Sequence, residues 1–325
     1  MDTTHKRFTL FGIGVSVLDV VMVVDALPEE ESVVRAERRR VSIGGPVAVA
    51  AATAAILGGR VGFADRLGSD VMSHALTAEL AASGVDVSRI EIAADQTASV
   101  ATVWVHASNG SRTIVFSPGG ETPLAWNDKI AAAVADTTIL HCNGRHLDVC
   151  LQAIPIAKQN NVLVSFDGGA HRYRDEVLPI VSQADILIVS HHFAAAHWAR
   201  SQPPRQDQPP HHESVQPPSS DRLARLLMDD FGASLVGVTA GQQGSWFRTD
   251  DGDHWHQPAV KASSAIDTTG CGDTFHGAFL HGMAAGFPPR RCSELAAIVA
   301  ARNAEGLGAL GFDRRRLLDE LDSIA

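Results

Sequence analysis

Long apolar runs are missing from this sequence. No stretch reaches ~20 residues free of polar breaks, so a membrane span is not expected. The opening MDTTHKRFTLFG lacks the apolar core of a secretory leader. Cysteine is sparse. Cys142, Cys150, Cys271 and Cys292 form no CxxC pair and no His/Cys cluster at zinc spacing, which argues against a zinc module and a disulfide framework. Reduced thiols in a cytoplasmic protein are the expectation. Positive charge is also in deficit, with 27 Lys and Arg against 37 Asp and Glu. The net charge of -10 argues against a general nucleic-acid binder. It does not argue against a phosphate ligand, because backbone amides bind phosphate without any net positive charge. Histidine is plentiful, but the 15 residues are scattered and read mostly as solvated or structural.

What is present is ample apolar material. With 325 residues and 45% hydrophobic composition the chain suits one large α/β domain, with or without a small appendage. FTLFGIGV (8–15) reads as a buried strand ending in glycines, and VLDVVMVVDALP continues as β. GGPVAVAAATAAILGG (44–59) is a glycine turn followed by an alanine-rich helix. DVMSHALTAELAASG is amphipathic, with Gly84 past its end. ASVATVWVHA and RTIVFS flank Asn109-Gly110, a hairpin signal. After residue 125 the strands TTILHC, NVLVSFD, DILIVS and ASLVGVTA alternate with helical stretches, which is the rhythm of a parallel sheet covered on both faces. The early hairpin-like strands stand outside that rhythm and are expected to form a small separate sheet.

Residues 201–220, SQPPRQDQPPHHESVQPPSS, offer no apolar face to bury. They read as a mobile surface insertion that cannot offset its ordering entropy. A Pro-rich partner-binding segment is the alternative.

The densest chemistry lies in IDTTGCGDTFHGAF (266–279). Phe275, Ala278, Phe279 and Met283 fall at helical spacing, so a helix starts near Gly272. The first amides of a helix have no internal partners and carry the positive end of its dipole. Gly270 and Gly272 let a ligand approach those amides closely. Asp273 then stands in the first turn beside an anion hole, placed to accept a hydroxyl proton while the amides take charge from a transferring phosphoryl group. Spacing alone weighs this evenly against an ordinary glycine turn whose Asp compensates the dipole. It is no Walker A loop, since no Gly-Lys-Ser/Thr follows, and the third glycine of a dinucleotide fingerprint is absent.

DTTGCGDTFHGAF resembles the C-terminal signature of the PfkB carbohydrate kinases, D-T-x-G-A-G-D-x-F. The resemblance extends over nearly the whole chain. GGPVAVAAATAAILGG is similar to the family's N-terminal signature, RLGSD and LAASGVDVSRI to its R-x-G-x-D and G-V-D-x-S segments, and VTAGQQGSWF to T-x-G-x-x-G. It implies a single kinase domain over 1–325 with a ribokinase-like three-layer α/β fold: a central, mostly parallel sheet and a small β-sheet lid, with lid strands within about 16–43 and 97–118. It implies Asp273 as catalytic base, with the amides of Gly270, Cys271 and Gly272 as the anion hole. The sugar would meet Asp19, Gly44, Gly45, Arg112 and Arg145. ATP would lie near Thr239, Gly241, Gly244 and Asn303 in the 300–308 segment. Mg2+ would travel with ATP, and Asp267 and Thr268 mark where the family often places a monovalent-cation loop, with K+ as the ion. Within the family the ketohexokinase and sulfofructose kinase branches are the most similar, implying a ketohexose or a derivative as acceptor. A homodimer through the lid is implied by the resemblance alone.

Two departures stand out. Val49 and Pro46 occupy positions where sugar-contacting asparagines are usual, and Ser190 and Phe193 replace N-x-x-E. They keep two other readings in view. One is a catalytically weak sugar-binding or regulatory protein on the same fold. The other is a nucleoside kinase, which would want an aromatic platform in the lid, with Trp104 the obvious candidate. The composition of residues 201–220 yields the first testable expectation: replacing them with a short Gly-Ser linker leaves turnover and ATP affinity nearly unchanged. A tenfold loss of steady-state turnover in a stably folded replacement would assign the segment to the site.

Overall fold

The computed structural model describes residues 6–108, 110–120, 122–202 and 216–324. Asn109 and most of the 201–220 insertion lie outside the described residues.

The chain opens with β1 (Phe8–Ile13), then β2 (Val17–Val24) and β3 (Arg38–Gly44). Helix α1 (Pro46–Ile56) leads to β4 (Val61–Leu67), α2 (Val71–Ala82) and β5 (Val85–Ile92). A hairpin follows, β6 (Ser99–His106) and β7 (Arg112–Ser117). The α/β rhythm then runs through α3 (Asp128–Ala135), β8 (Thr137–Cys142), α4 (Leu147–Gln159), β9 (Leu163–Gly168), the short α5 (Leu178–Val181), β10 (Ile186–Ser190) and α6 (His191–Ser201). After the insertion come α7 (Ser220–Phe231), β11 (Leu235–Thr239), β12 (Ser245–Thr249) and β13 (His254–Gln257). Helices α8 (Cys271–Ala284), α9 (Pro289–Ala304) and α10 (Arg314–Ile324) complete the chain. Among the described residues no helix is long and apolar enough to cross a membrane.

These strands form two sheets. The larger has nine strands in the order β13-β12-β11-β10-β9-β8-β1-β4-β5, parallel from β11 to β5. Strands β12 and β13 add an antiparallel edge that the sequence rhythm does not announce. The order reverses at β1, between β8 and β4, and such a switch point opens a crevice at the carboxyl ends of the strands. Alternate strand residues go to opposite faces. Leu10, Ile139 and Ile188 join the core beneath α1, α8 and α9, whereas Phe11, Leu140 and Val189 join the core beneath α3, α4 and α7. Apolar residues on both strand faces are what a doubly covered parallel sheet requires.

The alanine run in α1 has a packing reason. A Cβ on Gly277 of α8 would fall 2.4 Å from the carbonyl oxygen of Ala50. Small residues on both helices therefore let their backbones nearly touch, and this fixes where α8 begins. Beside that contact Phe247 stacks on Trp255 (centroids 5.0 Å apart) and on Phe279 (5.4 Å).

The smaller, separate sheet runs β3-β2-β6-β7 and is called the lid below, with β3 running on to Gly44. Val17, Val21, Val23, Ala101, Val103 and Val105 form its apolar face, with Leu307 of the large domain packed against them. Asp19 shares this inward face by strand alternation. The register puts Phe116 opposite Ala101 and Ile114 opposite Val103, so both also point inward. Trp104, paired with Met22 and Thr113, belongs to the opposite face. It cannot be the base platform considered above.

Truncating Phe279, which is fully buried, removes the centre of the aromatic stack. Phe279→Ala should cost about 3–5 kcal/mol, read as a lower denaturation midpoint in urea at unchanged m-value. A loss below about 1 kcal/mol would mean the neighbouring rings collapse into the space.

Candidate active site

The cleft lies between the carboxyl end of β1 and the lid, and its floor is the amino end of α8. Gly270 caps that helix at φ +71°. A Cβ there would come within 2.5 Å of the Ala309 side chain, so glycine is required. At Gly272 an added Cβ would meet nothing within 4 Å, which is the open face a ligand needs. The Cys271 amide donates to the Thr268 carbonyl at 3.3 Å and the Thr274 amide to the Gly270 carbonyl at 2.8 Å. The donors left open at this helix start are thus the amides of Gly270, Gly272 and Asp273. Of the three amides expected to form an anion hole, those of Gly270 and Gly272 are without a chain partner and that of Cys271 is engaged with Thr268. Burial pushes the Cys271 thiol up to about 11, so it stays a protonated thiol at neutral pH.

Asp273 sits in this first turn. Burial and then the charge of Asp167 push its carboxyl up to about 7, against the downward pull of Arg172 and Arg112. Asp19 is a mid-strand residue of β2 only 7% exposed, not a turn residue at a strand end. Burial, then Asp273, then Asp267 push it also up to about 7. Lid and floor carboxylates therefore face one another. The glycine pair before α1 makes room: a Cβ on Gly44 would lie 2.3 Å from both Asp19 carboxylate oxygens, and one on Gly45 (φ +89°) 2.2 Å from the Val15 carbonyl oxygen.

Asp267 is 1% exposed and wholly engaged within the loop. Its Oδ1 accepts the Thr269 amide (2.9 Å) and hydroxyl (2.7 Å), and its Oδ2 accepts the Gly308 amide (2.9 Å). Thr268 Oγ1 accepts from Arg112 Nη1. The oxygens expected to ligate a monovalent cation thus already carry donors from the chain. Asn303 is fully buried. Its Nδ2 donates to the Thr269 carbonyl at 2.8 Å and its Oδ1 accepts the Gly311 amide at 2.8 Å. It braces the loop and has no surface to offer ATP, contrary to expectation. Among the described residues, no group of three or more His, Cys, Asp or Glu is arranged to hold a metal ion.

Thr239 ends β11 and Gly241 and Gly244 form the turn after it, at the carboxyl edge of the sheet. Arg145 lies in the β8–α4 loop, exposed and in no ion pair with Asp148. Partial loss of water, then the charges of Arg172 and Arg174, lower its proton affinity. Ser190 caps α6, its Oγ accepting the Phe193 amide at 3.2 Å, and Phe193 is buried in the core. Sequence reading missed Asp167, Arg172 and the inward Ile114 and Phe116. The signal for Asp167 was its place at the carboxyl end of an apolar strand just before Gly168-Gly169.

The raised Asp19 carboxyl has a consequence for stability. Its unfolded form ionises near 3.8 and its folded form near 7, so folding stability falls as pH rises between these values. Asp19→Asn should raise the thermal midpoint hardly at all near pH 4, increasingly through pH 4–7, and by a constant amount above pH 7. A gain independent of pH would show that Asp19 titrates as an ordinary carboxylate.

The chain matches the pfkB family carbohydrate kinase profile over residues 9–312. It is 24% identical to mouse (Mus musculus) ketohexokinase over 309 residues, covering 93% of this chain and 96% of that protein. It is 23% identical to a nucleoside kinase of Methanothermobacter thermautotrophicus, covering 92% and 90%. The structure of Arabidopsis thaliana ribokinase complexed with ribose and ATP superposes with a TM-score of 0.79 at 22% identity, covering 97% of this chain and 99% of that one. With the family profile spanning almost all of it, the chain belongs to the pfkB carbohydrate kinases and is a phosphotransferase acting on an alcohol group.

Proposed function

We propose that this kinase transfers the γ-phosphate of ATP to a hydroxyl of a ketohexose or ketohexose derivative. The observation that carries the reading is the Asp273 carboxylate standing in the first turn of α8 beside open amides, beneath the lid carboxylate Asp19. Asp19 accepts hydrogen bonds from sugar hydroxyls, a task suited to a group with two acceptor oxygens. Asp273 takes the proton of the attacking hydroxyl. The new O–P bond forms in line as the bond between the γ-phosphorus and the β–γ bridging oxygen breaks, and ADP leaves. The amides of Gly272 and Asp273 meet the developing charge, helped by Arg112 and Arg172. ATP lies along the turn of Thr239, Gly241 and Gly244. Magnesium, when bound with ATP, supplies positive charge to the phosphates, held chiefly by them and by water.

Several features support a ketohexose or an anionic derivative over plain ribose. Pro46 is half-exposed at the start of α1 and Val49 is fully buried, so neither offers the amide usual at those positions. Arg145, with Arg172 and Arg174 nearby, suits an anionic substituent through its planar fork. A nucleoside acceptor is the second reading, favoured by Phe116 on the same lid face as Asp19. Strand β7 is exposed along its length and pairs only through β6. That free edge supports the lid-to-lid dimer.

Two measurements test the reading. In a panel of ribose, fructose, tagatose 6-phosphate, sulfofructose and nucleosides, a ketohexose or its anionic derivative should give the highest kcat/KM; ribose or a nucleoside in first place overturns the substrate class. Asp273→Asn should lower kcat by about 10²–10⁴-fold, the usual contribution of a positioned base, with calorimetric ATP affinity nearly unchanged. Parental turnover in the variant would end the base assignment.

A further inference from the structure

A knot of buried polar groups lies directly under the proposed base. Asp167 ends β9 and is 4% exposed. Its Oδ1 lies 3.4 Å from His276 Nε2, while its Oδ2 is buried without a partner. His276 follows Asp273 by three residues on α8, so the two side chains share a helix face with Cβ atoms about 5–6 Å apart. The His141 ring lies behind that of His276, with centroids 5.5 Å apart. His141 is anchored through Nδ1 to Ser165 Oγ at 3.1 Å. Both imidazoles have buried ring nitrogens without partners, His141 Nε2 and His276 Nδ1. Three orphaned polar atoms in one place are expensive, since a buried polar group without a partner loses its hydration and gains nothing in return. Packing alone would favour apolar side chains here.

We infer that Asp167, backed by His276, is a positioning residue that keeps Asp273 a working base; the inference rests on the kinase reading above. The choice of histidine is the argument. Burial lowers the proton affinity of both His276 and His141, so both are neutral at pH 7. A neutral imidazole whose Nε2 stands 3.4 Å from Asp167 Oδ1 offers an N–H toward the carboxylate without cancelling its charge, whereas Lys or Arg would cancel it. The fixed negative charge then disfavours ionisation of Asp273 and makes it a better proton acceptor near neutrality. The other charges facing Asp273 are Arg172 from the loop after β9, Arg112 from β7 and Asp19 from β2, with Asp267 from the preceding loop acting on Asp19 and Cys271. The arginines oppose the effect of Asp167. Asp19 acts in the same direction, but from the small sheet and not from the strand ends beneath α8.

The test is the acid limb of kcat/KM from pH 5 to 9. In Asp167→Asn the limb should move to lower pH by at least half a unit, and kcat above it should fall about threefold or more as the base weakens. His276→Gln keeps a donor and should hold the limb in place. His276→Phe removes the donor and should follow Asp167→Asn. An unmoved limb in an active Asp167→Asn variant overturns the inference. So does an upward movement, because more complete ionisation of Asp273 would push an Asp19 limb up. Should Asp167→Asn fail to fold, equal limbs in the two His276 variants overturn it instead. A readout without turnover separates this inference from the kinase reading. The gain in thermal stability from Asp273→Asn at pH 8 should shrink in the Asp167→Asn background. Equal gains refute the coupling even if no sugar proves to be a substrate.

Discussion

The carboxylate of Asp267 is the contact on which the rest of the site depends. It is almost wholly buried and has no ion pair among the described residues. What keeps it there is three hydrogen bonds from the chain, two from Thr269 and one from the Gly308 amide. Hydrogen bonds to a charged group are each worth about 1.5–3 kcal/mol, enough together to offset much of the desolvation of one carboxylate. The result is mechanical. The loop before α8 cannot shift without losing its grip on the 306–311 segment, and the amides of the first turn are held where a phosphoryl group would meet them.

The lid is tied to the same segment. Arg40 of β3 donates through Nη2 to the Leu310 carbonyl at 2.8 Å, and Leu307 packs into the apolar face of the lid. A Cβ on Gly308 would lie 2.7 Å from Ser42 Oγ of β3, so the Ser42 side chain packs directly on the glycine backbone. A chain of contacts therefore runs from lid strand to Gly308, from Gly308 to Asp267, and from Asp267 to the helix start. At the far edge of the lid Arg112 reaches the Thr268 hydroxyl. Two arginines from opposite edges of one small sheet thus reach down, Arg112 to the loop before α8 and Arg40 to the 306–311 segment that braces it.

Sequence reading reached the elements whose signal is local. The Gly-x-Gly-Asp turn announced the start of α8, the Asn-Gly step announced the β6–β7 hairpin, and the switch in periodicity after residue 125 announced the parallel sheet. It missed what depends on distant chain segments meeting. Asp167 and His276 are 109 positions apart, and an acid at a strand end is common enough to mean nothing until its neighbour is known. Asn303 was expected beside ATP because it lies in the right segment, but only packing shows that both ends of its amide are consumed by Thr269 and Gly311. Strand period says that Trp104 and Val103 face opposite ways, yet which face is inward follows from the pairing of β6 with β2 and its Asp19.

The departures from the family pattern become intelligible in the same terms. Val49 is wholly buried within the α1 packing, and Phe193 lies between Phe166 (centroids 5.9 Å) and Tyr173 (5.1 Å). Neither residue leaves an unfilled polar niche. Each has joined a core, where an amide or carboxylate without partners would cost free energy. Polar recognition is thereby withdrawn from α1 and from the start of α6. On the proposed function it would be concentrated on the Asp19 carboxylate, the open amides of α8 and the arginines around them. Such a site would distinguish acceptors less by counting hydroxyls than by where they carry charge, because few neutral side-chain partners remain to be left unpaired by a wrong sugar.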